Sequence, residues 1–284
     1  MADPTVESVH SVARRALAPR PGLTHTRADL RQPAAAGALA GVDVLYHLGF
    51  QLWTGKGGPA GMARANREGT ANVVGCRPGH VVLASSAAVY GAWPGNPLPL
   101  TEDDLPRPNP QCPYAVHKLE AERACAAAAP TLSLRIAAVL GDHADHRVAR
   151  AARGYRAVVP AVTGTRQALQ FVDEADVVAA LVAAGRALAG PGATTGVLNI
   201  ATTDWLDAPA LAAVTGGRVL AAPRSVVMGL SEAGRRLGVT PFGADRAVLL
   251  CGPLALDITR AAAALGWRPS LTSAEVVGRA SGRR

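Results

Sequence analysis

Pro113-Tyr114-Ala115-Val116-His117-Lys118 opens an alanine-rich stretch that reads as a helix. Its lysine decides how the rest is read. The chain carries 29 lysine and arginine residues, and lysine occurs only at 56 and 118, so 27 are arginine. Chance alone puts a lysine at a given basic position about one time in fourteen. Arginine cannot deprotonate, whereas lysine is a compact charge whose pKa responds to its surroundings. Residues four apart share one helix face, so the ammonium can sit beside the phenol. A cation there favours the phenolate and draws the tyrosine from about 10 toward the working range of a general acid/base.

Outward from this helix, apolar strand-like runs alternate with helical stretches, the pattern of a parallel sheet with crossovers. The runs predict strands over Val6–Val12, Val42–Leu48, His80–Ala84, Leu132–Val139 and Gly196–Ile200. They predict helices over Ala34–Ala40, Met62–Val74, Pro113–Ala129, Glu174–Leu188, Ala208–Val214 and Ile258–Leu265. Thr272 and Glu275 form a capping-box pair for a last short helix. The fold class is therefore α/β, a doubly wound parallel sheet. Ligands bind such sheets at the carboxyl ends of the strands. Gly49, Ser85 with Ser86, and Arg135 to Gly141 fall at those ends.

Composition narrows the function classes. A chain of 284 residues is long enough for a sizeable core. The first residues carry neither a basic nor an apolar leader region, and no apolar run reaches the length of a membrane span. Cys76, Cys112, Cys125 and Cys251 are scattered, which fits reduced thiols and a cytoplasmic location. The net charge of +8 is spread along the chain without basic runs, and aromatics are only 4%, so no nucleic acid partner is expected. Asp142-His143-Ala144-Asp145-His146 is read as a polar loop, because no distant third ligand accompanies it, and no metal is expected.

Several stretches resemble, in order, the extended short-chain dehydrogenase/reductases, the NAD-dependent epimerase/dehydratase family. They are Gly41-Val42-Asp43-Val44-Leu45-Tyr46-His47-Leu48-Gly49, Asn66-Arg67-Glu68-Gly69-Thr70 and Leu83-Ala84-Ser85-Ser86-Ala87-Ala88-Val89-Tyr90-Gly91. Tyr114-x-x-x-Lys118, Leu134-Arg135 to Gly141, Gln170-Phe171-Val172-Asp173 with Asp176-Val177, and Leu265-Gly266-Trp267-Arg268-Pro269 continue the series. The resemblance implies a Rossmann-like dinucleotide-binding core over residues 1–140. Residues 141–284 would mainly bind substrate, partly interleaved with the core.

The resemblance makes Tyr114 the acid/base, Lys118 its partner and a ligand of the nicotinamide ribose, and Ser86 the hydroxyl that polarises the substrate. Ser86 as a plain turn cap, Ser85 as the reacting hydroxyl, and Tyr114 as a packed helix residue stay open as alternatives. Tyr90 lacks a companion cation and reads as packing or substrate-side. Arg14, Arg15, Asp29, Leu30, Leu48, Gly49 and Asn66 join Lys118 as implied cofactor-binding positions. Arg14 and Arg15 stand where a 2′-phosphate would be read, favouring NADP slightly over NAD.

The family's first strand and its TGxxGxxG turn have no counterpart before Val6-Glu7-Ser8-Val9-His10-Ser11-Val12-Ala13-Arg14-Arg15, which resembles the second strand. Three expectations compete: an upstream segment, direct closure between the second and fourth strands, or cover by another chain. Thr54-Gly55-Lys56-Gly57-Gly58-Pro59-Ala60-Gly61 spells TGxxGxxG out of place and reads as an active-site loop. The leading function is an NAD(P)-dependent oxidoreductase or epimerase/dehydratase acting on a hydroxyl or carbonyl carbon of a small molecule, a sugar nucleotide or secondary metabolite. Cofactor-independent dehydration, isomerisation or cyclisation with the same Ser-Tyr-Lys set is one alternative, and a non-catalytic pseudo-enzyme binding a partner is another. A homodimer is possible. Trp205, Met228, Phe242 and Arg218 are substrate-side candidates by location alone.

Overall fold

The computed structural model describes residues 6–54, 57–240 and 242–282, with the backbone only at 34, 36 and 146. The chain opens with β1 (Val9–Ala13), β2 (Leu23–Arg27), α1 (Ala34–Gly37), β3 (Val44–His47) and α2 (Gly58–Gly75). Next come β4 (His80–Ser86), α3 (Pro113–Ala128), β5 (Thr131–Ile136), β6 (Ala138–Leu140), α4 (His146–Gly154) and β7 (Val158–Val162). They are followed by β8 (Phe171–Asp173), α5 (Glu174–Ala189), β9 (Gly196–Ile200), α6 (Ala208–Thr215) and β10 (Arg218–Ala222). The last helices are α7 (Arg224–Arg236), α8 (Ala244–Ala247), α9 (Thr259–Leu265) and α10 (Ser273–Ala280).

The central sheet has the order β3-β4-β5-β9, all parallel. Successive side chains of a strand point to opposite faces. On β4, Val81 and Leu83 accordingly pack against Ala121 and Cys125 of α3. Val82 faces the other way, into a cluster with Ala180, Ala184 and Leu188 of α5 and with Leu132 and Leu134 of β5. Both faces of the sheet are thus covered, which is why its strands read as continuous apolar runs rather than alternating ones. This is the Rossmann-like, doubly wound arrangement. A second apolar cluster gathers Leu140, Val159, Phe171, Leu206, Leu211, Val276 and Val277 beyond the carboxyl ends of the strands. The predicted capping box at Thr272 and Glu275 opens α10.

Three readings change. The predicted strand Leu132–Val139 is two strands: β5 ends at Ile136, and β6 pairs with β8 in a separate sheet. Leu23–Arg27 is a strand that alternation does not announce, because Thr24, His25 and Thr26 are polar. Direct closure of the gap at the front of the sheet does not occur. Among the described residues, β1 pairs only with β2, in register Val9 with Leu23, and β3 pairs only with β4. The β1–β2 pair is tied to the rest through the segment after β2. Asn72 Nδ2 on α2 donates to the Leu30 carbonyl at 2.7 Å. The Leu30 side chain reaches Gly49, where a Cβ would meet its Cδ1 at 2.6 Å.

Candidate active site

β4 ends at Ser86, whose extended backbone leads into a buried 3-10 turn over Ala87–Tyr90. Ser86 Oγ accepts from Ala88 N at 3.2 Å, so the turn-cap role is present. The turn closes at Gly91, where φ is +68° and a Cβ would lie 2.3 Å from the Arg107 carbonyl, so a side chain is excluded. α3 starts at Pro113, a residue suited to the first helical position because its missing N–H has no partner there anyway. Tyr114 therefore stands on the first turn and Lys118 on the second, on the flank of the helix that packs against β4. The Ser86 hydroxyl lies near the Tyr114 phenol and favours its ionised form. Ser85, the alternative, points elsewhere: its Oγ donates to Glu122 Oε1 at 2.5 Å inside the protein.

Lys118 is only 3% exposed. Its Nζ donates to the Ala84 carbonyl at 2.5 Å and lies 3.9 Å from the Phe50 ring centroid and 5.8 Å from that of Tyr114. Burial lowers the ammonium from its usual 10.5 to about 7, against the opposing pull of the Glu122 carboxylate. Between about pH 7 and 10.5 the unfolded chain keeps a proton on Lys118 that the folded chain has lost. This group's contribution to stability therefore rises with pH across that window. Because the chain has only two lysines, replacing Lys56 with arginine leaves one lysine resonance in a 13C-lysine spectrum. That resonance is expected to titrate near 7; a midpoint near 10 would show an ammonium that water still reaches.

A second cation approaches from the far end of the chain. Arg246 on α8 stacks over Tyr114 with Cζ 4.2 Å from the ring centroid, and over Trp53 at 4.9 Å. Its Nη2 donates to the Leu52 carbonyl. Trp53 also stacks on Phe242 with centroids 5.2 Å apart, lies beside Arg147, and donates from Nε1 to Asp145 Oδ2 at 2.8 Å. Phe50 meets Tyr114 edge-on at 5.9 Å. Nothing in local spacing announces Arg246, 132 positions after Tyr114. Phe50 and Trp53 left a fainter signal: two aromatics in one short loop of a chain with only 4% aromatic residues.

The remaining expected residues divide. Asn66 is buried and accepts from Gln51 N at 2.7 Å while donating to the Gln51 carbonyl at 3.1 Å, so it braces the Phe50–Trp53 loop. Leu48 is exposed, and Gly49 gives Leu30 its room. Asp29 is held by Arg31, whose Nε and Nη2 both donate to it; that hydrogen-bonded guanidinium lowers the carboxyl to about 2. Arg14 and Arg15 are exposed beyond β1, and the Arg14 carbonyl accepts from Arg27 Nε. Among the substrate-side candidates, Phe242 reaches the Trp53 stack and Met228 packs on the same apolar cluster as Tyr114. Arg218 lies in β10 and Trp205 in the loop after β9. Arg135, expected among strand-end ligands, is instead buried in an ion pair with Glu122. Tyr90 is a packed residue whose hydroxyl donates to Asn199 Oδ1 at 2.9 Å.

Gly55 and Lys56 of the misplaced TGxxGxxG lie outside the described residues; from Gly58 onward the motif is already the first turn of α2. Among the described residues, no group of three or more His, Cys, Asp or Glu is placed to hold a metal. His143 Nδ1 instead pairs with Glu174 Oε1 at 2.9 Å, and Asp145 caps α4 through Arg147 N. No helix among the described residues is long and apolar enough to cross a membrane.

A nicotinamide cofactor fits the donor set at one end of this site. Lys118 carries three N–H groups, and a single hydrogen bond, to Ala84, is described for them. Ribose hydroxyls are suitable acceptors for the others. The acidic group after β2, Asp29, is engaged with Arg31.

The profile of the NAD dependent epimerase/dehydratase family matches residues 2–201. A Mycobacterium tuberculosis relative, the uncharacterized protein Rv0501, is 28% identical over 264 residues, 88% of this chain and 68% of its own. Among solved structures, MoeE5 in complex with UDP-glucose and NAD is 24% identical with a TM-score of 0.67, covering 97% of this chain and 90% of that one. A UDP-galactose 4-epimerase is 22% identical with a TM-score of 0.69 and the same coverage. The Bordetella bronchiseptica enzyme WbmG in complex with NAD and UDP is 16% identical with a TM-score of 0.71, covering 97% and 85%. These structural likenesses carry the fold, and the family match spans most of the chain. This chain belongs to the NAD-dependent epimerase/dehydratase family of enzymes.

Proposed function

We propose that the chain is an NAD(P)-dependent oxidoreductase or epimerase/dehydratase acting on a hydroxyl or carbonyl carbon of a small molecule, with a sugar nucleotide as the favoured class. The observation that carries this reading is the meeting of Ser86, Tyr114 and Lys118 at the carboxyl end of β4. The sugar-nucleotide preference draws on MoeE5, described with UDP-glucose and NAD. In the reaction Ser86 Oγ holds the reacting oxygen and Tyr114 Oη takes or returns its proton. Lys118 holds the nicotinamide ribose, and Asp29 and Leu30 face the adenosine half. When bound, the nicotinamide supplies the hydride acceptor. Residues 141–284 would line the substrate pocket around Phe242 and Met228.

Calorimetric titration with NAD(H) and NADP(H) tests the reading on the whole chain. Saturable binding below millimolar concentration is expected, stronger for NADP(H) if Arg14 and Arg15 read a 2′-phosphate. The absence of binding at millimolar cofactor would defeat it. The separation of β1 from β3 favours cofactor-independent proton transfer as the second reading. A substrate turned over with no nicotinamide present would establish that reading instead.

A further inference from the structure

Tyr114 sits in surroundings that oppose its ionisation. Desolvation raises its pKa, and the neighbouring Cys112 thiol acts in the same direction. The usual remedy is the lysine one turn on, yet Lys118 lies 5.8 Å from the ring, faces Phe50 more closely, and donates to Ala84. It also loses its proton near neutrality, because burial draws it down to about 7. Over most of the range in which a phenolate would form, Lys118 is a neutral amine.

Arg246 has none of these weaknesses. A guanidinium stays protonated throughout the accessible pH range. This one is closer to the phenol than the lysine is, and its side chain is only 12% exposed. It is clamped from two sides, by the Leu52 carbonyl and by the Trp53 indole face. Its Nε is buried without a hydrogen-bond partner among the described residues, and the carboxylate of Asp245 stands 4.0 Å from it. The charge is therefore only partly compensated. Among the described residues, the groups that face Tyr114 are Cys112 just before α3, Lys118 on α3, Ser86 at the end of β4, and Arg246 on α8. Phe50 meets the ring edge-on, and Ala88, Ala115 and Val248 pack against it; none of these titrates.

We propose that Arg246 is a positioning residue for Tyr114: stacked on the phenol, it holds the ring against Ser86 and supplies the permanent positive charge under which the phenolate forms. Lys118 is then released for holding the ribose. The aromatic sandwich has a purpose in this arrangement. Trp53, itself fixed by Asp145, lies against the guanidinium with its ring centroid 4.9 Å from Arg246 Cζ and so restrains the charge beside the phenol. A cation within about 4–6 Å lowers the pKa of an acid by one unit or more, and desolvated cation–π contacts are stronger than exposed ones.

The proposal rests on Tyr114 as the proton carrier, but its test does not need turnover. Tyrosine labelled with 13C at Cζ reports ionisation directly, and the chain has only four tyrosines, so Y114F assigns the signal. In substrate-free protein, R246M is expected to raise the Tyr114 midpoint by about one pH unit. R246K, which keeps the charge and loses the planar stack, is expected to fall between parent and R246M. An unchanged midpoint in folded R246M would overturn the proposal and leave Arg246 as a clamp between α8 and the Leu52 carbonyl. If R246M does not fold, R246Q carries the same comparison, because it removes the charge and keeps a polar end for Leu52. Failure of cofactor binding would defeat the proposed function and leave this titration standing; an unmoved titration with cofactor bound would do the reverse.

Discussion

Replacing Glu122 with glutamine is expected to lower the unfolding free energy by about 3–5 kcal/mol, the cost of leaving a buried charge without its partner. Arg135 on β5 donates to the Glu122 carboxylate from Nε at 3.1 Å and from Nη2 at 2.9 Å. Both side chains are more than nine-tenths buried. Ser85 adds a third donor, and the guanidinium lies over the Tyr90 ring at 4.7 Å, so the pair joins α3 to the centre of the sheet. Arg135→Met should cost a similar amount. The double variant Glu122→Leu with Arg135→Met removes both charges and should lose less than either single change, since buried pairs replaced by apolar residues are often near neutral. Urea unfolding of the three variants gives the comparison. A double variant that loses the sum of the two singles would show independent contributions and no pair. The substitution also reaches the site, because the Glu122 carboxylate is what holds the Lys118 ammonium up against desolvation. Without it Lys118 should titrate below 7.

The same pair shows what the sequence could and could not tell. The helix over Pro113–Ala128 and the strand before Ser86 were legible because local periodicity encodes them, and the spacing of Tyr114 and Lys118 followed from the helix. Glu122 and Arg135 are thirteen residues apart on different elements, and only the packing of α3 on β5 makes them partners. Read from the strand pattern, Arg135 looked like a ligand at a strand end; in the fold its side chain points into the interior. The polar strand Leu23–Arg27 gave no periodic signal for a related reason, and only the resemblance of Arg27-Ala28-Asp29-Leu30 to a family strand end pointed to it. It lies on a peripheral two-stranded sheet with partly exposed residues, so neither face imposes an apolar code. Arg246 and Trp53 meet Tyr114 only through tertiary structure, from loops that carry no periodic signal.

Tyr114→Phe is the decisive change for chemistry, with turnover expected to fall by about 10²–10⁴-fold, the usual worth of a positioned acid/base. The substitution touches little else. The ring keeps its edge contact with Phe50, its place on the apolar cluster with Met228 and Val248, and the guanidinium of Arg246 above it. Only the hydroxyl and its approach to Ser86 are removed. Stability should therefore stay within about 1 kcal/mol of the parent, the net worth of one hydrogen bond. Ser86→Ala is the contrasting control. It removes both that approach and the cap on Ala88, so it should cost activity together with about 0.5–2 kcal/mol of stability. Assays on a nucleotide-sugar panel with added nicotinamide, run beside thermal unfolding, separate the two effects. A Tyr114→Phe variant that turns over at the parent rate would move the proton to another group, and Lys118 is the candidate the site offers. Its pKa near 7 suits a proton carrier, and its position beside Ala84 at the end of β4 places it within the same site. In that case Lys118→Met, not Tyr114→Phe, should show the large loss, and comparing the two variants at one pH decides which side chain moves the proton.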